Sequence, residues 1–413
     1  MGRFSRLWMV FLLFSGMLIF GIDRGNISVA STTMMKDLHI NAGIMGIIFS
    51  SFFWSYLLCN IPSGILTDRY GPRKIYGIAS ALWATATMLT GAVSSFVALI
   101  GCRLGLGVGE SAVFPINSKV ANEYFPPERR ATVMATAMAG YRLGLAICPM
   151  LIAAILVRWG WRMSFYLSGA ASLAWALLWV LTFPKQKKVG TPVRKMDRAV
   201  ILSMLSRRNT VAIVIIKFFC DYMAYLIVAW MPGYLVIERK FTILKMGVYA
   251  SLPWVAGMVV PPLIGMFSDH LLARGHSRTI ARKLPLVLCQ VFAASIVMLN
   301  WISSPSVVVG LLVFVVSLEC AFSAMLWTVP PELARGGEAA TLAGIMNTAG
   351  SLAGILSPMI TGFLVVATGS FTVAFIVAGT ANILSAVFTV FLLGRIESDE
   401  QPAAAPQAAP AHA

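Results

Sequence analysis

The sequence predicts an all-α membrane protein in which twelve transmembrane helices form two pseudo-symmetric six-helix bundles. Of the 413 residues, 58% are hydrophobic and only 12% are charged, whereas soluble globular domains carry about 25% charged residues. Apolar runs of about 20 residues, the length of helix that crosses a bilayer, recur along the chain. The second half also repeats landmarks of the first. A soluble protein with a large core is excluded, because so few charges cannot cover its surface.

Twelve apolar runs alternate with charged or turn-rich segments. The first run follows Arg3 and Arg6, as in a signal peptide, but Asp23 and Arg24 would then lie between the apolar region and the cleavage site. We therefore expect a retained first span. The predicted spans are residues 8–30, 43–66, 75–93, 96–120, 131–155, 162–183, 211–236, 246–268, 284–302, 306–328, 339–367 and 371–393.

The basic residues indicate orientation rather than nucleic-acid binding. The net charge is +16, but most of the 32 Lys and Arg residues lie in the N-terminal segment, the even-to-odd loops and the C-terminal tail. Membrane proteins concentrate Lys and Arg in cytoplasmic loops. Both termini are therefore predicted to be cytoplasmic, in the cell (inner or plasma) membrane. The opposite loops hold Lys36, Arg158, Arg162, Arg239, Lys240 and Lys245.

The chain divides into two halves around a basic connection. We expect an N-terminal six-helix bundle at 1–183, a cytoplasmic basic linker at 184–210, a C-terminal six-helix bundle at 211–394 and a disordered cytoplasmic tail at 395–413. Parallel repeats place a substrate site between the halves near the bilayer midplane. The series Trp54, Pro62, Gly64 and Asp68 is repeated by Trp254, Pro262, Gly265 and Asp269, and Gly140, Gly144 and Pro149 by Gly350, Gly354 and Pro358.

A charged motif follows the second span. Residues 64–74 read GILTDRYGPRK, in which glycine permits close helix approach and the basic residues anchor the cytoplasmic face. This pattern resembles the signature of the major facilitator superfamily, and a degenerate copy surrounds Asp269. The resemblance implies a motif that controls conformation, formed by Gly64, Asp68, Arg69, Gly71, Arg73, Lys74 and Asp269.

A narrower resemblance involves the anion:cation symporter family, which includes proton-coupled sugar-acid transporters such as bacterial D-galactonate symporters, and sialin-type organic-anion carriers. It covers most of the chain and is densest in the first half. The similar segments are GIDRGNISVA (21–30), FSSFFWSYLLCNIPSG (49–64), CRLGLGVGESAVFPIN (102–117), ARKLPL (281–286) and NTAGSLAGI (347–355).

Ionisable residues inside the spans are costly and need a reason. The first half holds three arginines and two carboxylates, an excess of positive charge that suits an anionic substrate, since arginine presents a planar fork to a carboxylate. The alternative is that these charges pair with one another and only fix helix register. They are Asp23, Arg24, Arg103, Glu110 and Arg142. In the second half, Lys217 and Asp221 are spaced to neutralise each other, and Glu319 has no role in the resembled pattern.

The resemblance also implies roles. Asp23 and Glu110 would carry coupling protons, Arg24 would contact the substrate carboxylate, and Arg103 would belong to the same polar network. Tyr56, Trp327 and Asn347 would line the pocket; packing is the alternative for the two aromatic residues.

The chain departs from the galactonate pattern. Tyr141 replaces a glutamine, Arg142 adds a charge, and Ala324 and Leu326 replace hydroxyl-bearing residues. We count Tyr141 and Arg142 among the substrate-binding residues. A site that lacks hydroxyl partners disfavours a polyhydroxylated substrate, so we expect a less hydroxylated anion, aromatic or doubly charged.

The predicted function is proton-coupled uptake of a small organic anion by alternating access, by a monomer in a lipid bilayer. The sequence predicts no enzyme activity, no cofactor, no metal site and no nucleic-acid partner, since it lacks a nucleotide-binding G-x-x-x-x-G-K-[ST] motif and paired cysteines. A proton-coupled exporter of drugs or metabolites is the alternative within the same fold. A non-transporting sensor would need a soluble output domain, for which the sequence has no segment.

Overall fold

The computed structural model describes residues 3–184, 198–334 and 338–396, and these residues are helical with short connections. Twelve of the helical segments in this part of the chain are long and apolar enough to cross a membrane, which confirms the predicted fold class. The helices are α1 (Arg3–Asp37), α2 (Ala42–Tyr70), α3 (Pro72–Ala92), α4 (Phe96–Glu110), α5 (Val113–Tyr124), α6 (Pro127–Trp159), α7 (Trp161–Thr182), α8 (Arg198–Leu205), α9 (Arg208–Ile237), α10 (Ile243–Ala273), α11 (Arg278–Ala293), a 3-10 helix (Ala294–Asn300), α12 (Pro305–Leu326), α13 (Val329–Leu333), α14 (Ala339–Thr368) and α15 (Thr372–Phe391).

Three spans contain a break. The fourth span consists of α4 and α5, which are separated immediately after Glu110. The ninth span narrows from α11 into the 3-10 helix, and the tenth breaks between α12 and α13, at Trp327. Breaks at membrane depth occur where backbone lies inside protein or beside a cavity. Two of these breaks therefore adjoin residues that the sequence marks as functional.

The two halves repeat one set of helix contacts. In the first half α1 packs on α6 and α7, α2 on α4, and α3 on α4 and α7. In the second half α9 packs on α14 and α15, α10 on α12, and α11 on α12 and α15. These are the same pairings between spans of equal order, so the pseudo-symmetry that the sequence landmarks predict is present in three dimensions.

The halves meet through α2 with α14, α6 with α10, and α1 with α9. The contacts lie from the middle of these helices towards one face of the molecule: Ser28 Oγ donates to the Ala229 carbonyl at 2.7 Å, and Trp230 Nε1 donates to the Pro358 carbonyl at 2.9 Å. We call this the closed face. We call the other side, where α1 begins and α15 ends, the terminal face.

Helices α2 and α14 separate towards the terminal face. A Cβ added at Gly46 would lie 2.6 Å from the Pro358 carbonyl oxygen, near the closed face, whereas one added at Gly344 would meet nothing within 4 Å. Leu58 and Ile61, on the terminal side of α2, are 75% and 73% exposed. The structure is therefore packed between the halves at the closed face and parted at the terminal face.

The predicted linker and tail lie largely outside the described residues. Of the linker at 184–210, the part at 185–197 is not described, and residues 198–205 form α8. Of the tail at 395–413, only residues up to 396 are described. The domain boundaries remain predictions.

Candidate functional site

A buried ion pair joins α1 to α4 at the centre of the first half. Arg24 Nε donates to Glu110 Oε2 at 3.0 Å. The Glu110 side chain has no exposed surface, and that of Arg24 is 12% exposed. Arg24 Nη2 and Glu110 Oε1 have no hydrogen-bond partner among the described residues. The pair thus uses one edge of the guanidinium and leaves a terminal nitrogen free to donate a hydrogen bond to another acceptor.

Asp23 bonds to a different helix from its neighbour. Its Oδ2 accepts a hydrogen bond of 2.6 Å from Ser172 Oγ on α7, and its Oδ1 has no partner. Successive helical residues point about 100° apart, so Asp23 faces α7 while Arg24 faces α4. The two adjacent charges are therefore not locked into an ion pair with each other.

Arg103 completes this charged group. It is buried, its guanidinium lies 5.1 Å from the centre of the Phe52 ring, and its Nε has no partner. It acts electrostatically on both Glu110 and Asp23. As the sequence predicts a shared polar network, the structure brings four of the five first-half charges together: Asp23, Arg24, Arg103 and Glu110.

Aromatic rings surround the Arg24 guanidinium. It lies 4.6 Å from the Phe20 ring centre, 4.7 Å from Phe52 and 5.0 Å from Tyr56. Cation–π contacts of this kind stabilise a desolvated guanidinium by up to about 2 kcal/mol. Tyr56 is accordingly beside the expected substrate-binding arginine, in a position that serves both packing and binding.

A small cavity of about 40 Å³ lies beside this cluster, between the two halves. Ligand sites that hold a small molecule usually measure about 300–1,000 Å³, so the halves must move apart for a substrate to enter. The lining residues come from both halves: Arg24, Ile27, Ser28, Phe49, Phe52, Phe53, Arg103, Tyr141, Tyr225, Val228, Ala229 and Pro358. This agrees with a site between repeats.

The other expected pocket residues lie in different places. Tyr141 lines the cavity and packs on Phe20 with ring centres 5.4 Å apart. Arg142 lies outside the lining and donates to the Gly257 carbonyl of the other half at 3.4 Å. Trp327 and Asn347 also lie outside it. Trp327 is 43% exposed at the break of the tenth span, and Asn347 is half-buried on α14.

Leu326, one of the two tenth-span residues that replace hydroxyl-bearing side chains of the galactonate pattern, is fully buried in a core cluster of the second half. It therefore does not border the cavity beside Arg24, and the low polarity expected of the pocket comes from the aromatic side chains instead.

The second half holds its own buried charges. Lys217 Nζ bonds to Asp221 Oδ1 at 2.7 Å, which is the mutual neutralisation expected from their spacing. Glu319 is buried nearby, and its partners are Asn382 and Cys220. No sequence signal points to these two partners, since a lone asparagine and a lone cysteine in apolar spans follow no motif.

The charged motif occupies the terminal face. Asp68 accepts a hydrogen bond of 2.9 Å from Lys119 Nζ on α5. Arg73 donates through Nε to the Val180 carbonyl near the end of α7 at 2.9 Å, which ties α3 to α7 as an anchor. Gly64 has room for a Cβ, which would meet only Pro115 at 3.9 Å. Close packing therefore does not require glycine at position 64 in the present conformation. Gly71 differs, because its backbone has φ of +85°, which favours glycine.

The remaining basic residues of the motif stay at the surface. Arg69 and Lys74 each lie within 5.4 Å of the Tyr70 ring centre. In the second copy, Arg282 Nη1 lies 3.6 Å from Asp269 Oδ1, and Arg282 Nη2 lies 2.8 Å from Glu332 Oε1. Sequence reasoning missed Lys119 and Glu332, which lie outside the motif in sequence.

A larger cavity of about 860 Å³ lies elsewhere, between the start of α1 and the start of α6. Its charged lining residues are Arg6 and Arg129, and none of the buried carboxylates borders it. We place the functional site at the smaller cavity because the charges and both halves meet there. Among the described residues, no group of three or more His, Cys, Asp or Glu side chains is placed to hold a metal ion.

The sequence profile of the Major Facilitator Superfamily matches residues 13–358. A probable galactarate/D-glucarate transporter of Escherichia coli is 30% identical over 410 residues, covering 92% of each chain. A probable sulfoacetate transporter of Cupriavidus necator is 29% identical and covers 90% of each chain. A D-galactonate transporter of Escherichia coli is 27% identical and covers 96% of each chain.

Solved structures share the fold. A bacterial homologue of the human lysosomal transporter Spinster, crystallised in an inward-facing and occupied conformation, superimposes with a TM-score of 0.76. The alignment covers 95% of this chain and 96% of the other at 17% sequence identity.

Proposed function

This chain belongs to the major facilitator superfamily, and from that premise we propose that it is a symporter that takes up a small organic anion together with protons. That it is a multi-pass membrane transporter follows from its family, its twelve apolar helices and its relatives. The coupling to protons, the direction and the substrate are our proposal. The observation that carries it is the buried Arg24–Glu110 pair beside a cavity between the halves.

The coupling follows from competition for one cation. When Glu110 and Asp23 are both ionised, they neutralise Arg24 and Arg103, and a substrate carboxylate placed at Arg24 would add an uncompensated negative charge to a buried site. Such a charge costs several kcal/mol. When Glu110 is protonated, the Arg24 fork is free to bind the carboxylate bidentately. Proton and anion therefore bind favourably together and unfavourably one at a time, which is the requirement for symport.

Asp23 provides a second proton site within the first half. It lies next to Arg24 in sequence but bonds to Ser172 on α7, so it is not part of the Arg24–Glu110 contact. Arg103 stabilises whichever of the two carboxylates is ionised. The arriving protons neutralise the carboxylates while the substrate carboxylate takes their place beside the arginines, and this exchange of partners favours the movement of the halves that exposes the cavity to the other side.

The surroundings of Arg24 favour a compact anion of low hydroxyl content. The two rings nearest to it are those of Phe20 and Phe52, which offer no hydrogen bonds to hydroxyl groups, and the phenol groups of Tyr56 and Tyr141 are the polar exceptions. The relatives include one protein named as a probable galactarate/D-glucarate transporter and one named as a probable sulfoacetate transporter. We propose a substrate of the second kind: a short organic anion that carries one or two charges and few hydroxyls.

Orientation completes the proposal. Because the basic residues concentrate in the N-terminal segment, the even-to-odd loops and the tail, we propose that both termini are cytoplasmic, so that the parted terminal face opens to the cytoplasm and the closed face seals the outside.

Proteoliposomes test this function. We expect an inward proton gradient to drive accumulation of a radiolabelled carboxylate, and an ionophore that dissipates the gradient to abolish it. Efflux of apolar cations driven by the same gradient would instead support an exporter.

A further inference from the structure

Glu319 is a buried carboxyl group that the proposed transport mechanism does not use. It lies on α12 with 5% of its surface exposed. No Lys, Arg or His within residues 3–184, 198–334 and 338–396 forms an ion pair with it. An isolated buried carboxylate costs several kcal/mol, so such a group binds a proton unless a charge compensates it.

The side chains that touch Glu319 accommodate both of its protonation states. Asn382 Nδ2 lies 2.6 Å from Oε1, and Cys220 Sγ lies 3.3 Å from Oε2. A carboxylate accepts from the amide nitrogen and the thiol. A carboxylic acid instead donates its proton, and rotation of the Asn382 amide presents the oxygen to receive it. That Asn382 oxygen is buried and has no partner in the part of the chain that the structure describes.

The groups around Glu319 form a cluster whose net charge depends on its proton. From α9 it faces Lys217, Cys220 and Asp221, from α11 Cys289, and on its own helix Cys320. Lys217 and Asp221 already neutralise each other at 2.7 Å. Protonated Glu319 therefore leaves the cluster neutral, whereas ionised Glu319 gives it one negative charge.

The cluster lies near both the cavity and an exposed side chain. Tyr225, which lines the cavity with Arg24, lies one helical turn after Asp221 and on the same side of α9. Lys217 Nζ lies 5.8 Å from the ring centre of Trp327, whose side chain is 43% exposed. We expect an anion in the cavity to repel the ionised form of Glu319 across the one helical turn between Tyr225 and Asp221, and protons to reach the cluster from the side of Trp327.

We propose that Glu319 is a further proton-binding site, in the second half, that takes up a proton from water when the anion binds and releases it when the anion leaves. It rests on the proposed function and adds to it: the second half contributes its own proton, besides those of Asp23 and Glu110. The charge carried with each substrate therefore depends on both halves.

The test is the proton stoichiometry of Glu319→Gln. In proteoliposomes with the membrane potential clamped at zero, the logarithm of the accumulation ratio rises linearly with the pH difference, and the slope is the number of protons per substrate. We expect Glu319→Gln, which mimics the protonated form, to keep gradient-driven uptake with a slope lower by about one. The control Glu128→Gln makes the same change at an exposed position and should keep the wild-type slope.

The outcomes separate the proposals. A wild-type slope in Glu319→Gln overturns the role of Glu319, while wild-type protein without gradient-driven uptake overturns the proposed symport itself. Should Glu319→Gln fail to assemble, Asn382→Leu takes its place. This variant removes both the donor to ionised Glu319 and the acceptor for its proton, and because the hydrogen bond to the charged form is the stronger one, the site stays protonated. The same fall in slope is expected, and an unchanged slope overturns the proposal.

Discussion

Arg24 and Glu110, 86 residues apart, form an ion pair in which Nε lies 3.0 Å from Oε2 and the carboxylate is sealed from solvent. Removing one partner of a buried pair leaves an uncompensated charge, which costs about 3–5 kcal/mol. The relationship ties the helix expected to bind substrate to the helix expected to carry a proton. Each residue can therefore be tested through the function of the other.

Arg24→Lys should reduce transport at least tenfold. Lysine keeps the positive charge opposite Glu110 but loses the planar fork that binds a carboxylate bidentately. The measurement is initial uptake rate against substrate concentration, with expression checked by immunoblot. Arg274→Lys, at an exposed turn, is the matched control. Wild-type affinity in Arg24→Lys would remove Arg24 from the substrate site.

Glu110→Gln should abolish accumulation against a gradient and retain exchange. Glutamine has the shape and charge of the protonated acid, so Arg24 remains free to bind the anion but no proton leaves with it. The measurement pairs uptake driven by a proton gradient with counterflow exchange at equal pH. Continued accumulation by Glu110→Gln would move the coupling to another carboxylate, with Asp23 as the first candidate.

A short anion with few hydroxyls should outcompete sugar acids. The rings of Phe20 and Phe52 against Arg24 offer the hydroxyls of a sugar acid no partners, and the phenol group of Tyr56 can pair with only a few of them. Each hydroxyl left unpaired costs about 1–3 kcal/mol. Competition is measured with sulfoacetate, an aromatic monocarboxylate, galactonate and glucarate against one radiolabelled substrate. If galactonate or glucarate inhibits best, polar groups elsewhere must bind the hydroxyls.

Gly46→Leu should hold the closed face open. A Cβ at Gly46 would lie 2.6 Å from the Pro358 carbonyl oxygen, so a large side chain forces α2 away from α14. Gly310→Leu changes a glycine with no atom near its Cβ position and serves as the control. Labelling of a cysteine introduced at Ser28, which is buried where the halves meet, should increase in Gly46→Leu alone, with slower transport. Unchanged labelling would show that the helices do not pack here during the cycle.

The features of the fold that the sequence predicts are those in which one property repeats over many residues. The twelve spans follow from lengths of apolar sequence, because the bilayer imposes that length on every helix. The repeated landmarks predicted the paired helix contacts of the two halves. The Lys217–Asp221 pair was also accessible, since a spacing of four fixes two side chains on one face of a helix.

Partners between helices were not accessible in the same way. Asp23 and Arg24 are adjacent in the sequence, and only the positions of α4 and α7 decide that one bonds to Ser172 and the other to Glu110. Likewise, nothing near Glu319 in sequence points to Asn382, 63 residues away.

The sequence by itself determined that this protein lies in a lipid bilayer, how many spans it has, that its halves repeat and which charged residues lie within the membrane. These features follow from hydrophobicity and spacing, which act locally along the chain. The tertiary structure alone decided which charges face one another and which expected pocket residues reach the cavity. Arg24 lines it, and Trp327 does not. Those outcomes depend on how helices rotate and cross, and apolar packing on every side of a membrane helix leaves little trace of rotation in the sequence.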